Sequence, residues 1–98
     1  MQGKTTSGFE FEIDERATQT WRFLELTKKM KNSEDRLDQF AALDEALELL
    51  LGSPEEKEKL LQHVEKENEG YAMLDKVVDE FNEIVLSVKN SPSSSTAS

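Results

Sequence analysis

The stretch that decides the fold is YAMLDKVVDEFNEIVLSV, residues Tyr71–Val88. Its apolar side chains recur with the spacing i, i+3, i+4 and i+7, which places them on one face of an α-helix. They are Tyr71, Leu74, Val77, Val78, Phe81, Ile84, Val85 and Val88. Valine is a poor helix former, but a continuous apolar face outweighs a penalty of roughly a few tenths of a kcal/mol per residue. The stretch therefore predicts an amphipathic helix in a mainly α domain.

Three more helices are predicted upstream of this one. Gly52 is placed to take the left-handed conformation that ends a helix, Ser53 can cap the next helix, and Pro54 suits its first position. Asp14 and Ser33 are predicted to cap the other two helices. The four predicted helices cover about residues 15–31, 34–51, 54–67 and 71–89.

A β-hairpin is predicted before the helices. Phe9, Phe11 and Ile13 alternate with acidic residues, as in a strand with one buried face. Ser7-Gly8 can form the turn, and Lys4–Thr6 would be the first strand, which gives a hairpin over residues 4–13. A lone hairpin is marginally stable, so its apolar face must pack on the helices.

The serine-rich end of the chain predicts no packed structure. Residues 90–98 contain no large apolar side chain that could offset the entropy lost on ordering, so we expect a disordered tail. The expected architecture is thus a single domain over residues 1–89, of about four helices with a short N-terminal hairpin.

The composition favours a soluble, non-redox protein. The 98 residues include no cysteine, which leaves no disulfide or thiolate metal site, and the formal net charge is -9. This charge repels phosphate backbones and anionic lipids, so we expect neither nucleic acid nor membrane as a ligand. With no apolar signal or spanning segment, a cytoplasmic location is expected. The acidic composition also leaves open a small bacterial adaptor or regulator that binds another protein, including one that imitates nucleic acid and captures a nucleic-acid-binding protein.

No motif indicates chemistry. Residues 3–6, GKTT, match the end of a phosphate-binding loop. The upstream glycine and the apolar strand that precede such a loop are missing. His63 is expected on the surface of the third helix, and one histidine beside Glu67 supplies too few ligands for zinc. We therefore expect no catalytic residue, cofactor or metal. The alternative hypothesis is a small hydrolase or metal enzyme.

Aromatic and leucine side chains are the candidates for partner binding. Trp21 and Phe23 lie about 200° apart on an ideal helix, so both cannot face one narrow core. Core packing is the favoured interpretation for these aromatics, and the alternative is that one of the two contacts the hairpin or a partner. The candidate partner-binding residues are Trp21, Phe23, Leu26, Leu47 and Leu50. The broad apolar faces of the first two helices also leave open a homo-oligomer.

Four segments resemble the short tail assembly chaperones of long-tailed bacteriophages. They are SGFEFEIDE (Ser7–Glu15), WRFLEL (Trp21–Leu26), ALELLLGSPEE (Ala46–Glu56) and VVDEFNEIV (Val77–Val85). The resemblance runs from Ser7 to about Val88. It implies a protein without catalytic residues that coats the tape measure protein in the bacterial cytoplasm while the tail assembles and that is absent from the finished virion. It also implies that a longer, frameshifted product is often made.

Overall fold

The computed structural model of the protein describes residues 1–89, which form a two-stranded hairpin followed by helices. The strands are β1 (Gln2–Lys4) and β2 (Glu10–Glu12). The helices are α1 (Trp21–Asn32), α2 (Arg36–Leu51), α3 (Pro54–Glu67) and α4 (Leu74–Lys89), and a 3₁₀ segment (Glu15–Gln19) precedes α1. The predicted fold class, four helices with an N-terminal hairpin, is confirmed for the described residues. The tail predicted over residues 90–98 lies outside them.

The hairpin pairs earlier residues than the sequence predicted. β1 and β2 are antiparallel, and Gly3 lies opposite Phe11. The turn is closed by hydrogen bonds from the Thr5 amide to the Phe9 carbonyl, 2.9 Å, and from the Gly8 amide to the Thr5 carbonyl, 2.9 Å. The predicted first strand, Lys4–Thr6, is therefore shifted: Lys4 is the last residue of β1, and Thr5 and Thr6 belong to the turn. Gly8 supplies the positive φ of 99° that this turn requires.

The apolar face of the hairpin packs on the helices, as predicted. Phe9, Phe11 and Ile13 are all buried in the common core. The Phe11 ring also covers Gly3 across the strands, because a Cβ built on Gly3 would lie only 2.5 Å from Phe11 Cζ. Gly3 therefore leaves the space that the ring occupies.

The first helix begins six residues later than predicted. Asp14 does act as a cap, but its side chain accepts a hydrogen bond from the Arg16 amide at the start of the 3₁₀ segment only. That segment buries no side chain, so no apolar face extends the helix through it. Thr20 is extended, and its hydroxyl accepts from the Phe23 amide at 3.2 Å, which starts α1 at Trp21.

Two further helix starts differ from the predictions. Asp35, and not Ser33, caps α2 by accepting from the Leu37 amide at 2.8 Å. Ser33 instead ends α1. The fourth helix begins at Leu74 and not near residue 71, because Tyr71 and Met73 are exposed and bury no apolar face that would extend it. Glu69 and Gly70, which end α3, take left-handed conformations.

The boundary between α2 and α3 agrees with the prediction. Gly52 ends α2 with a φ of 96°. The Ser53 hydroxyl accepts from the Glu56 amide at 3.2 Å, and Pro54 opens α3. Lys57 then connects the two helices, since its amine donates to Asp44 and Glu48 at 2.6 Å each. These two hydrogen bonds raise the pKa of Lys57 above its usual value of 10.5.

The core lies around α2, which contacts α1, α3 and α4. Its buried side chains cover about half of its circumference: Ala42, Leu43, Ala46, Leu47, Leu50 and Leu51. α1 and α4 meet through Phe23 and Phe81, whose ring centroids are 5.8 Å apart. The helix that decided the fold class on sequence therefore closes the core against both α1 and α2.

Candidate protein-binding surface

A groove between α1 and α2 holds the most exposed aromatic side chain of the described chain. The groove measures about 660 Å³. We call it the α1 groove; its lining residues are Trp21, Arg22, Leu24, Glu25, Leu26, Lys28, Lys29, Asn32, Ala41, Ala42 and Glu45. The lining includes the first and the last residue of α1, so the groove follows the whole helix.

Trp21 and Leu24 form the exposed apolar part of the α1 groove. The Trp21 side chain is 80% exposed and Leu24 is 54% exposed, whereas Phe23 is only 2% exposed. Capping by Thr20 makes Trp21 the first residue of α1 and turns Phe23 toward the core. The prediction that Trp21 and Phe23 cannot share one face is confirmed, and Trp21 is the one that points outward.

The charged residues form ion pairs at one end of the α1 groove and none at the other. Near Trp21, the Arg22 guanidinium lies 2.6 Å from Glu45 and 3.8 Å from Glu25. The hydrogen bond with Glu45 raises the pKa of Arg22 above its usual value. At the other end, Lys28 and Lys29 form no ion pair with any residue between 1 and 89.

The structure separates the five predicted partner-binding residues. Phe23, Leu26, Leu47 and Leu50 are buried in the core, so they offer almost no surface to a partner, although Leu26 lies at the floor of the α1 groove. The partner-binding role predicted for these four is corrected to core packing. Trp21 is the one of the five that is exposed, and only it stays a candidate contact residue.

A second set of exposed apolar residues lies outside the α1 groove. It comprises Leu37 and Phe40 in α2, and Tyr71 and Met73 before α4. A small cavity of about 100 Å³ connects the two segments, because both Phe40 and Ala72 line it. Leu37 and Phe40 are exposed because they lie in the first two turns of α2, before its first buried residue, Ala42.

A polar cluster that the sequence did not reveal attaches the hairpin to α3 and α4. Glu80 is buried, with 6% exposure, although it lies on a charged-rich helix. Its carboxylate accepts from the Thr5 hydroxyl at 2.8 Å and from the Ser7 hydroxyl at 2.9 Å. The Ser7 Oγ also lies 2.9 Å from His63 Nε2. His63 is half-buried, and the centroid of its ring lies 5.6 Å from that of the Phe9 ring. The prediction that His63 is a surface residue is therefore wrong.

The hydrogen bonds of this cluster fit a structural role. A serine hydroxyl has one proton, and an ionised carboxylate can only accept. Ser7 therefore donates to Glu80, which requires His63 Nε2 to donate to Ser7. A serine nucleophile must pass its proton to a general base, but in this arrangement the imidazole already carries a proton on the nitrogen that faces Ser7 and cannot accept another there. His63 and Glu80 lie 56 and 73 positions after Ser7, so the sequence does not show that the three residues meet. The one signal in the sequence was the position of Glu80, three residues after Val77 and four before Ile84 on the apolar stripe of α4.

The described residues present neither a metal cluster nor a membrane helix. No group of three or more His, Asp or Glu side chains among residues 1–89 is arranged to hold a metal ion. None of the helices in that range is both long enough and apolar enough to cross a bilayer.

No protein-family model matches this chain, and no curated protein or solved structure matches it either. What the chain does must therefore be inferred from its own surfaces and motifs.

Proposed function

We propose that this chain is a non-enzymatic protein-binding factor that holds a helix of another protein in the α1 groove. The observation that carries the proposal is Trp21, an aromatic side chain that is 80% exposed beside Leu24 at the edge of an apolar groove. Tryptophan is enriched among residues that dominate binding energy, and amphipathic helices commonly bind in grooves between helices.

The size of the groove suits one helix. α1 has 12 residues, so the groove is about 18 Å long and accommodates roughly three turns of a partner helix. Covering a tryptophan side chain removes on the order of 150 Å² or more from water, which favours association by about 3–4 kcal/mol before ordering costs.

Within this class, we propose that the protein is a tail assembly chaperone of a long-tailed bacteriophage or prophage. The support is the resemblance of four segments between Ser7 and Val85, together with a helical domain that offers an apolar groove. Its partner would be the tape measure protein, a long helical chain that presents amphipathic helices to be covered before the tail tube forms. The protein would act in the bacterial cytoplasm and leave the tail before completion.

The proposed activity is tested by co-producing the full chain with the tape measure protein encoded beside it. We expect the two proteins to co-purify. Trp21→Ala should weaken binding at least ~30-fold, the loss expected when a residue contributes about 2 kcal/mol or more. Tyr71→Ala is the matched control, because Tyr71 is an exposed aromatic outside the α1 groove.

Three results would count against the proposal. A genome that places no tape measure gene near this one argues against the phage chaperone. Loss of binding with Tyr71→Ala and not with Trp21→Ala would move the site to the other apolar surface. Binding to a nucleic-acid-binding protein, weakening steeply with salt, would favour the acidic adaptor in its place.

A further inference from the structure

The charge of α1 is opposite to that of the whole molecule. α1 carries Arg22, Lys28, Lys29 and Lys31 against one acid, Glu25, whereas the formal net charge of the chain is -9. The Arg22 charge is already balanced by neighbouring carboxylates. The free basic charge of the α1 groove is therefore concentrated at the C-terminal end of the helix.

The neighbouring groove extends this basic end. A groove of about 340 Å³ runs between α1 and α4, and Lys31 and Lys89 both line it. Leu24 lines this groove as well as the α1 groove, so the two share an apolar ridge. Lysines near a helix end also interact with the helix dipole, but this interaction leaves their amines in solvent and able to bind a further carboxylate.

Resting on the proposed function, we propose that the partner helix in the α1 groove carries acidic residues beside its apolar face, at the end that lies over Lys28 and Lys29. The apolar stripe of that helix covers Trp21 and Leu24, and its carboxylates pair with the two unpaired lysines. Close pairs of opposite charge at the edge of an interface fix the register and direction of binding more than they add affinity. The lysines therefore select which stretch of a long helical partner is held.

A different protein fits this groove better than a second copy of the chain. A copy would have to offer a helix with about three turns of free apolar stripe. Among the described helices, α2, α3 and α4 bury their apolar stripes in the core. The apolar residues that stay exposed on the described helices form no continuous stripe of three turns; they are Trp21 and Leu24 in α1, Leu37, Phe40 and Leu49 in α2, and Leu86 in α4.

The test uses two synthetic helical peptides with the same three-turn leucine and alanine face. One carries glutamates beside that face at one end, and the other carries lysines at the same positions. Trp21 is the only tryptophan of the chain, so its fluorescence reports occupancy of the α1 groove directly. We expect the acidic peptide to bind the full chain about tenfold more tightly at low salt. This preference should shrink toward about 500 mM salt, where the screening length falls to a few ångström.

Charge reversal tests the lysines themselves. The double variant Lys28→Glu with Lys29→Glu should reverse the preference and favour the lysine peptide. Lys66→Glu with Lys76→Glu is the control, because it changes the net charge equally at two exposed residues outside the α1 groove. The control should keep the preference for the acidic peptide. Circular dichroism should show that all these variants fold like the natural chain.

Each other outcome has a distinct meaning. Equal binding of both peptides, or a preference for the lysine peptide in the natural chain, overturns the charge inference and leaves the helix-binding function standing. If neither peptide changes Trp21 fluorescence, and the Trp21→Ala variant still binds the tape measure protein, the α1 groove is not the binding site and both proposals fail. Self-association that Trp21→Ala abolishes would identify the occupant as a second copy and overturn the inference.

Discussion

Truncating Phe23 should destabilise the domain strongly, whereas truncating Trp21 should leave its stability almost unchanged. The two aromatics are two positions apart on α1, yet Trp21 is 80% exposed and Phe23 is 2% exposed. Phe23→Ala removes a ring that packs 5.8 Å from the Phe81 ring and leaves a cavity between α1 and α4. Deleting a buried phenylalanine costs about 3–5 kcal/mol. Trp21→Ala removes a side chain from solvent, so its effect should stay within about 0.5 kcal/mol.

Urea and thermal unfolding, followed by circular dichroism, measure both values. For a domain of this size, 1 kcal/mol corresponds to a change of about 4–8 °C in Tm, so Phe23→Ala should lower the Tm by about 12 °C or more. Phe23→Leu provides a milder variant in case the alanine variant does not fold, and it should lose roughly 1 kcal/mol. A Trp21→Ala variant destabilised as strongly as Phe23→Ala would refute the assignment, because it would place Trp21 in the core and remove the proposed binding surface.

Three further predictions test the hairpin, the helix contacts and the 3₁₀ segment. Gly3→Val should destabilise the chain by about 1–3 kcal/mol in urea unfolding, because its Cβ would meet the buried Phe11 ring at 2.5 Å; unchanged stability would show that the ring is free to move. Lys57→Met should cost about 1 kcal/mol, since it leaves two carboxylates of α2 facing each other, and the cost should fall in high salt; a cost independent of salt would contradict an ionic origin. The Asp14 carboxyl should titrate with a pKa of about 2 by NMR, because Arg16 donates to it, and Arg16→Ala should return this pKa toward 3.8. The Arg16 contact therefore stabilises the fold above about pH 4 and is lost as the pH falls toward 2.

Local chemistry was sufficient to predict most of the helices and some of their ends. Gly52, Ser53 and Pro54 act in the structure as their sequence predicted, because a left-handed glycine, a serine cap and a proline at the first position need only their immediate neighbours. The alternation of Phe9, Phe11 and Ile13 likewise predicted a strand with one buried face.

Other boundaries depended on competition between several good caps. Asp14, Thr20, Ser33 and Asp35 are all residue types that can begin a helix. For α1, the cap that begins the helix is Thr20, because the turn after it buries Phe23, whereas the segment after Asp14 buries no side chain. That outcome depends on the position of the core and is not visible in the capping residues themselves.

The sequence by itself determined the helical period of α4, the break at Gly52 and the alternating hairpin, because these arise from residues close together in the chain. Only the tertiary structure decided that Glu80 is buried under the hairpin turn, and that Trp21 is exposed whereas Leu47 lies in the core. The physical reason is that a periodic pattern identifies an apolar stripe, whereas exposure depends on which parts of that stripe other elements cover. The candidate binding surface is the part left uncovered, and it could be located only after all four described helices were in place.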